Sequence, residues 1–207
     1  MTASAGRYPV PGARHRVEES IRRSRFITTV ARAATGGDAH AFIDGIRAEF
    51  PDATHNCWAF VAGPPGSTAD VGMSDDGEPH GTAGRPMLEA LLHSGVGEIA
   101  AVVTRYYGGV KLGKGGLQRA YSGGVQLALE SMPRAERVRR VALWVAMEYA
   151  ARDPVERVAH ELDAVVTDEE YGAEVRLRVA VPDDALSDFR RLVAEVTSGR
   201  ARVEPVD

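Results

Sequence analysis

Cysteine occurs once in the chain, at Cys57. That excludes an internal disulfide, and the lack of any Cys-x-x-Cys pair excludes a zinc knuckle or a thioredoxin-like redox centre. Long apolar runs are missing as well. No stretch reaches the roughly 18 residues of a membrane span, and the opening MTASAGRYPVPGARHR has no apolar segment of the kind a secretory leader needs. A cytoplasmic protein without membrane contact is expected. Aromatic residues make up 6% of the sequence against 44% hydrophobic residues in all, so the core should be mainly aliphatic. Acid is absent from one interval: none lies between Glu98 and Glu130, where Arg105, Lys111, Lys114 and Arg119 fall. The net charge of -4 therefore conceals charge that is segregated along the chain.

A chain of 207 residues suits one or two domains. Residues 1–14 read as a flexible start. Val17 to Ala31 reads as one or two half-exposed strands, and a helix opens at Asp38, carries Phe42, Ile43, Ile46 and Phe50 on one stripe, and stops at Pro51. Cys57 to Ala62 reads as a strand. The segment GPPGSTADVGMSDDGEPHGTAGRP is loop-like, with one short strand near Val71. Helix resumes at Pro86 and ends near Gly95; Ile99 to Val103 is a buried strand. After RYYGGVKLGKGG, a helical pattern runs from Leu117 to about Ser131. Gly123 and Gly124 interrupt it, each at a cost of about 1 kcal/mol relative to Ala, so close approach to another backbone is the expected compensation. MPRAE reads as a linker. From Val138 the order is strand, helix, strand, strand, helix, strand, the ferredoxin-like arrangement. The fold class is thus α+β, with an N-terminal domain over 15–133 and a C-terminal domain over 137–205.

Strand, glycine-rich turn and helix is a layout that gathers unpaired backbone N–H groups and the positive helix end around an anion. Gly108, Gly109, Gly113, Gly115 and Gly116 allow close approach, and Arg105, Lys111, Lys114 and Arg119 add charge. The block is neither a Walker A loop nor a dinucleotide-binding G-x-G-x-x-G motif. Tyr106 and Tyr107 beside these cations suit stacking on unpaired bases, although strand alternation lets only one ring face outward. The plain alternative is that the glycines turn the chain and both tyrosines pack. In SDDGEPHGTAGRP, the acids Asp75, Asp76 and Glu78 are candidates for proton transfer or for holding Mg²⁺. Capping and loop hydrogen bonding explain them equally well, and Arg85 is a candidate partner. His55, Cys57 and His80 have no third or fourth ligand at metal spacing, so Cys57 reads as a small buried residue.

HNCWAF, DDGEPHGTAGRPML and VVTRYYGGVKLGKGGLQRAY together resemble the signature blocks of the IMPACT/YigZ family. The resemblance extends over roughly Val17 to Ser131, and the remainder is similar to the small C-terminal domain of bacterial members. It implies an N-terminal domain like the second domain of ribosomal protein S5 and a C-terminal domain like the last domain of elongation factor G. His80 departs from the Ser more usual among relatives. No counterpart of the extra N-terminal module of eukaryotic members is expected, so their kinase-pathway partner is not carried over.

The expectation is a binding protein rather than an enzyme, with no cofactor and no metal. Arg85, Arg105, Tyr106, Tyr107, Lys111, Lys114, Arg119 and the glycines would face RNA or a ribosome-linked phosphate, with no DNA specificity. An enzyme acting on a phosphorylated small molecule and a protein-interaction module are the alternatives.

Overall fold

The computed structural model describes residues 6–206. It is a mixed α+β structure with five α-helices and three sheets among the described residues. Two compact units divide the described residues: Tyr8–Glu136 forms one, and residues 137–206, with Gly6 and Arg7, form the other. Residues 1–5 of the expected flexible start lie outside the described residues, but Arg7–Pro11 is strand β1, which pairs with β7 (Arg134–Val138). β7 takes in most of the MPRAE segment read as a linker.

The N-terminal unit is built on a five-stranded antiparallel sheet. Its strands are β2 (His15–Ile21), β3 (Ser24–Arg32), β4 (His55–Val61), β5 (Val71–Ser74) and β6 (Ile99–Tyr106), in the order β2-β3-β6-β4-β5. Alternation along β6 sends Ala100 and Val102 to one face, where they pack with Ile43 and Ile46 of α1 (Gly36–Glu49). Ile99, Ala101 and Val103 go to the other, under α2 (Gly84–Leu92) and α3 (Lys114–Ser131). Both sheet faces are therefore covered, which is why β6 is apolar without interruption up to Thr104.

Each helix start differs in an instructive way from its expected position. Thr35 caps α1, and Asp38 is its reciprocal partner three residues on: the Thr35 hydroxyl accepts from the Asp38 amide, and the Asp38 carboxylate accepts from the Thr35 amide. α2 starts two residues before Pro86 because a carboxylate from the preceding loop, described below, accepts from the amides of its N-cap Ala83 and first residue Gly84. The core is aliphatic in number, but its largest fully buried side chain is Tyr121, edge-on to Phe26 with ring centroids 5.5 Å apart.

The C-terminal unit runs β8 (Arg140–Met147), α4 (Arg152–Glu161), β9 (Val165–Tyr171), β10 (Val175–Pro182), α5 (Leu186–Val196) and β11 (Arg202–Pro205). The sheet order is β11-β8-β10-β9. Val175, Leu177, Val179 and Val181 all point into one core with Leu143, Val145, Val155, Phe189 and Val193. The strict alternation of β10 is the direct cause, since period two places every second side chain on one face.

Candidate functional site

The face of β6 beneath α2 and α3 is apolar until its last members. There Arg105 follows Val103 on the same face, opposite Phe26 on β3 and His55 on β4. A guanidinium in this position must find partners, because burying an unpaired charge is prohibitive. Arg105 is 4% exposed. Its Nη1 donates to Glu78 Oε1 at 2.5 Å, its Nη2 donates to Ser24 Oγ at 3.2 Å, and the group lies 5.3 Å from the ring centres of both Phe26 and Tyr107. Its Nε is buried without a hydrogen-bond acceptor.

Glu78 is delivered by the loop between β5 and α2, and it too is buried. Oε1 also accepts from the Tyr121 hydroxyl at 2.8 Å. Burial raises the Tyr121 phenol far above its ordinary range, so it remains a donor. His55 Nδ1 lies 2.8 Å from the Asp76 carbonyl oxygen. A carbonyl only accepts, so Nδ1 carries a proton; in the neutral ring Nε2, 4.0 Å from Glu78 Oε1, presents a lone pair.

The other two acids of the loop have structural work. Asp75 accepts from the amides of Gly81, Ala83 and Gly84 at 2.8, 3.0 and 2.8 Å, supplying the acceptors for the start of α2. Desolvation pushes the Asp75 carboxyl upward, but these three donors outweigh it and hold the group below its ordinary value. Asp76 accepts from the Asn56 amide at 2.7 Å and from Arg47 at 3.1 Å. Cys57 is fully buried, donates to the Asp75 carbonyl, and has its thiol pushed up by that burial. Among the described residues no group of three His, Cys, Asp or Glu is placed to hold a metal ion.

Over this polar floor lies a cleft of about 480 Å³, lined by Thr54, His55, Glu78, Pro79, Arg105, Tyr107, Lys111, Leu112, Gly113, Lys114 and Leu117. Its rim is the start of α3. Gly113, at φ 74°, is the N-cap, and no side chain caps the helix. The Leu117 amide bonds back to Gly113, whereas the amides of Lys114, Gly115 and Gly116 have no protein acceptor among the described residues. The Gly113–Lys114 start of the helix, its dipole and the two lysines share this mouth, while Gly116 lines a neighbouring groove with Leu112, Arg22 and Arg119. Upstream, Gly108 fits because an added Cβ would lie 2.0 Å from the Arg23 carbonyl oxygen, pinning the chain to the β2–β3 turn. Gly109, at φ 81°, follows it in the same connection.

The two sequence blocks thus meet in one cleft, but not all of their charged residues do. Arg105 belongs to the floor rather than to an outward basic face, because alternation puts it with Val103. Arg119 does not line this cleft but two adjoining grooves, one between α2 and α3 with Glu89, His93 and Glu130 and one with Leu112 and Gly116 at the start of α3. Arg85 pairs with Glu89 at 3.0 Å rather than with the loop acids. Tyr106 is on the opposite sheet face, its hydroxyl donating to Asp52 at 2.9 Å, while Tyr107 lines the cleft and is 45% exposed. His80 is fully exposed, 3.8 Å from Asp75. The site residues that sequence reasoning left unassigned are His55 and Tyr121. His55 was within reach of the alternation that aligned it with Cys57, whereas Tyr121 gave no signal beyond an apolar helix position.

Comparison with known proteins places residues 22–129 under the model of the Impact N-terminal domain and residues 145–200 under that of a domain of unknown function, DUF1949. A relative described as IMPACT family member YigZ, from Escherichia coli (strain K12), is 42% identical over 96% of this chain and 97% of its own. One from Haemophilus influenzae, described as an IMPACT family member, is 40% identical over 95% and 96%. A solved structure titled as a crystal structure of a hypothetical protein matches with a TM-score of 0.69 and 41% identity, covering 99% of both chains.

Proposed function

Because the chain belongs to the IMPACT family, with a match along nearly its whole length, we propose that it is a translation-linked binding protein that takes an RNA phosphate at the start of α3. One observation carries this reading: the uncapped end of α3 and two lysines open on one cleft, above a floor that buried Arg105 helps to form. An anion there would gain amide donors, the helix dipole and the ammonium groups of Lys111 and Lys114 together. The dispersal of Arg85, Arg105 and Arg119 alters the manner of binding. Two clustered lysines suit one phosphate held at a cleft, not a long track of backbone phosphates. Tyr107 supplies an exposed ring beside it for a base. We read the two units as S5-like and ferredoxin-like, a reading that suggests a link to translation, with ribosomal RNA as the partner and the cytoplasm as the setting.

Fluorescence anisotropy with labelled single-stranded RNA tests the reading. Affinity should fall with added salt, and Lys111→Ala with Lys114→Ala should reduce the slope of log affinity against log salt by about 0.7, the value for one phosphate contact on a single strand. Unchanged affinity and slope would remove the cleft from the account. A second reading, an enzyme acting on a phosphorylated small molecule, draws on Glu78 and His55 facing the same cleft. Asp75 and Asp76 are occupied elsewhere, so only these two would serve it.

A further inference from the structure

Behind the phosphate rim, the floor of the cleft holds three polar positions that the protein does not match to one another. Arg105 spends two of its five N–H groups on Glu78 and Ser24, and its Nε, closed to solvent, has no acceptor. His55 turns Nδ1 to the Asp76 carbonyl, so in the neutral ring Nε2 is the acceptor. Glu78 has both of its described donors, Arg105 and Tyr121, on Oε1, and Oε2 has none among the described residues. His55 Nε2 and Glu78 Oε1 stand 4.0 Å apart with no proton between them in the neutral-imidazole state.

A phosphate does not complement this floor, because the Glu78 carboxylate repels it. An amine would answer the acceptors but not Arg105. A hydroxyl answers both, accepting from a guanidinium N–H while donating to a carboxylate or imidazole. Carboxylates that bind ribose hydroxyls in dinucleotide sites use the same chemistry. The walls between floor and rim are Pro79, Leu112, Leu117 and the ring of Tyr107, flat or apolar surfaces suited to a base. The volume of about 480 Å³ is within the range of small-ligand pockets.

Resting on the phosphate reading above, we propose that the cleft is a ribonucleotide site: phosphate at the α3 amides and lysines, base along Tyr107, and ribose hydroxyls at His55 and Glu78. Two sources offer that chemistry, a free nucleoside 5′-monophosphate and the 3′-terminal residue of an RNA with its diol intact. An internal RNA residue offers one hydroxyl and a second phosphate, which Glu78 disfavours. DNA offers no diol.

Calorimetric titration of the wild-type protein with adenosine 5′-monophosphate, its 2′,3′-dideoxy analogue and inorganic phosphate provides the test, alongside an RNA oligonucleotide ending in 3′-hydroxyl or in 3′-phosphate. The ribose form should bind at least about tenfold more tightly than the dideoxy form, since each lost hydrogen bond to a charged group costs that much or more. His55→Ala should shrink this ratio, the loss falling on the ribose form. If the monophosphate does not bind but the 3′-hydroxyl RNA is preferred about tenfold over the 3′-phosphate form, the ligand is an RNA end. Equal affinity for ribose and dideoxy forms, with no preference between RNA ends, overturns the ribonucleotide site. Lys111→Ala with Lys114→Ala separates the two readings: if inorganic phosphate binds and the double variant weakens it, the phosphate rim stands whatever the sugar result.

Discussion

Arg105 and Glu78 lie 27 residues apart in sequence and form a buried ion pair between β6 and the loop that leads into α2. Both side chains are at most 5% exposed, so each is the other's principal compensation for leaving water. The pair shapes the cleft floor and makes it costly to disturb.

Glu78→Leu should destabilise the protein by about 3–5 kcal/mol, the usual penalty for leaving a buried charge unpaired. Adding Arg105→Met should recover much of that loss, because two apolar side chains need no compensation. Urea unfolding of the single and double variants measures the difference. A double variant no more stable than Glu78→Leu alone would show that the ion pair does not set the cost.

Asp75→Ala should cost about 1–2 kcal/mol through the loss of the α2 cap. Its pH dependence has a definite sign. The folded-state pKa is depressed below the ordinary value of 3.8, so the stabilisation is fully present above that value and is lost as the pH falls through the lower folded-state pKa. The stability gap between wild type and Asp75→Asn, measured by denaturant titration at neutral and strongly acidic pH, should narrow at the acid end.

The paired glycines of α3 should respond in opposite directions to alanine. At Gly124 an added Cβ would lie 2.5 Å from Thr28 Oγ1, so Gly124→Ala should destabilise. At Gly123 nothing lies within 4 Å, and Gly123→Ala should stabilise by about 0.4–1 kcal/mol. Thermal unfolding of both variants checks the pair. The expected close approach therefore applies to one glycine only, and its neighbour is a side chain rather than a backbone.

Cys57 should resist alkylation in the native state. Its thiol is buried, bonded to the Asp75 carbonyl and held in the protonated form by desolvation, whereas the thiolate is the nucleophile. Iodoacetamide labelling followed by mass spectrometry should show modification only as denaturant is raised through the unfolding transition.

Periodicity made the repetitive parts legible. The alternation of Val175 to Val181 and the helical stripe of Phe42 to Ile46 are properties of single segments, readable without knowing what they pack against. The candidate cleft was legible only as two blocks. Nothing within DDGEPHGTAGRP tells that Asp75 caps a helix and Glu78 meets an arginine from another strand, because those partners are set by sheet register. Arg105 was readable as a phosphate ligand by charge, yet its spacing from Ile99, Ala101 and Val103 already placed it on the core face. β7 was missed because its exposed, charged residues carry no apolar alternation.

The short connection from Asp75 to Glu78 holds the first amides of α2 at one end and the cleft carboxylate at the other. Hydrogen–deuterium exchange at Gly81, Ala83 and Gly84 should consequently report occupancy of the cleft, slowing when a guest immobilises Glu78 even though none of these amides touches it. The loop also ties evolvability to stability, because a substitution that retunes recognition there also changes the grip on a helix end.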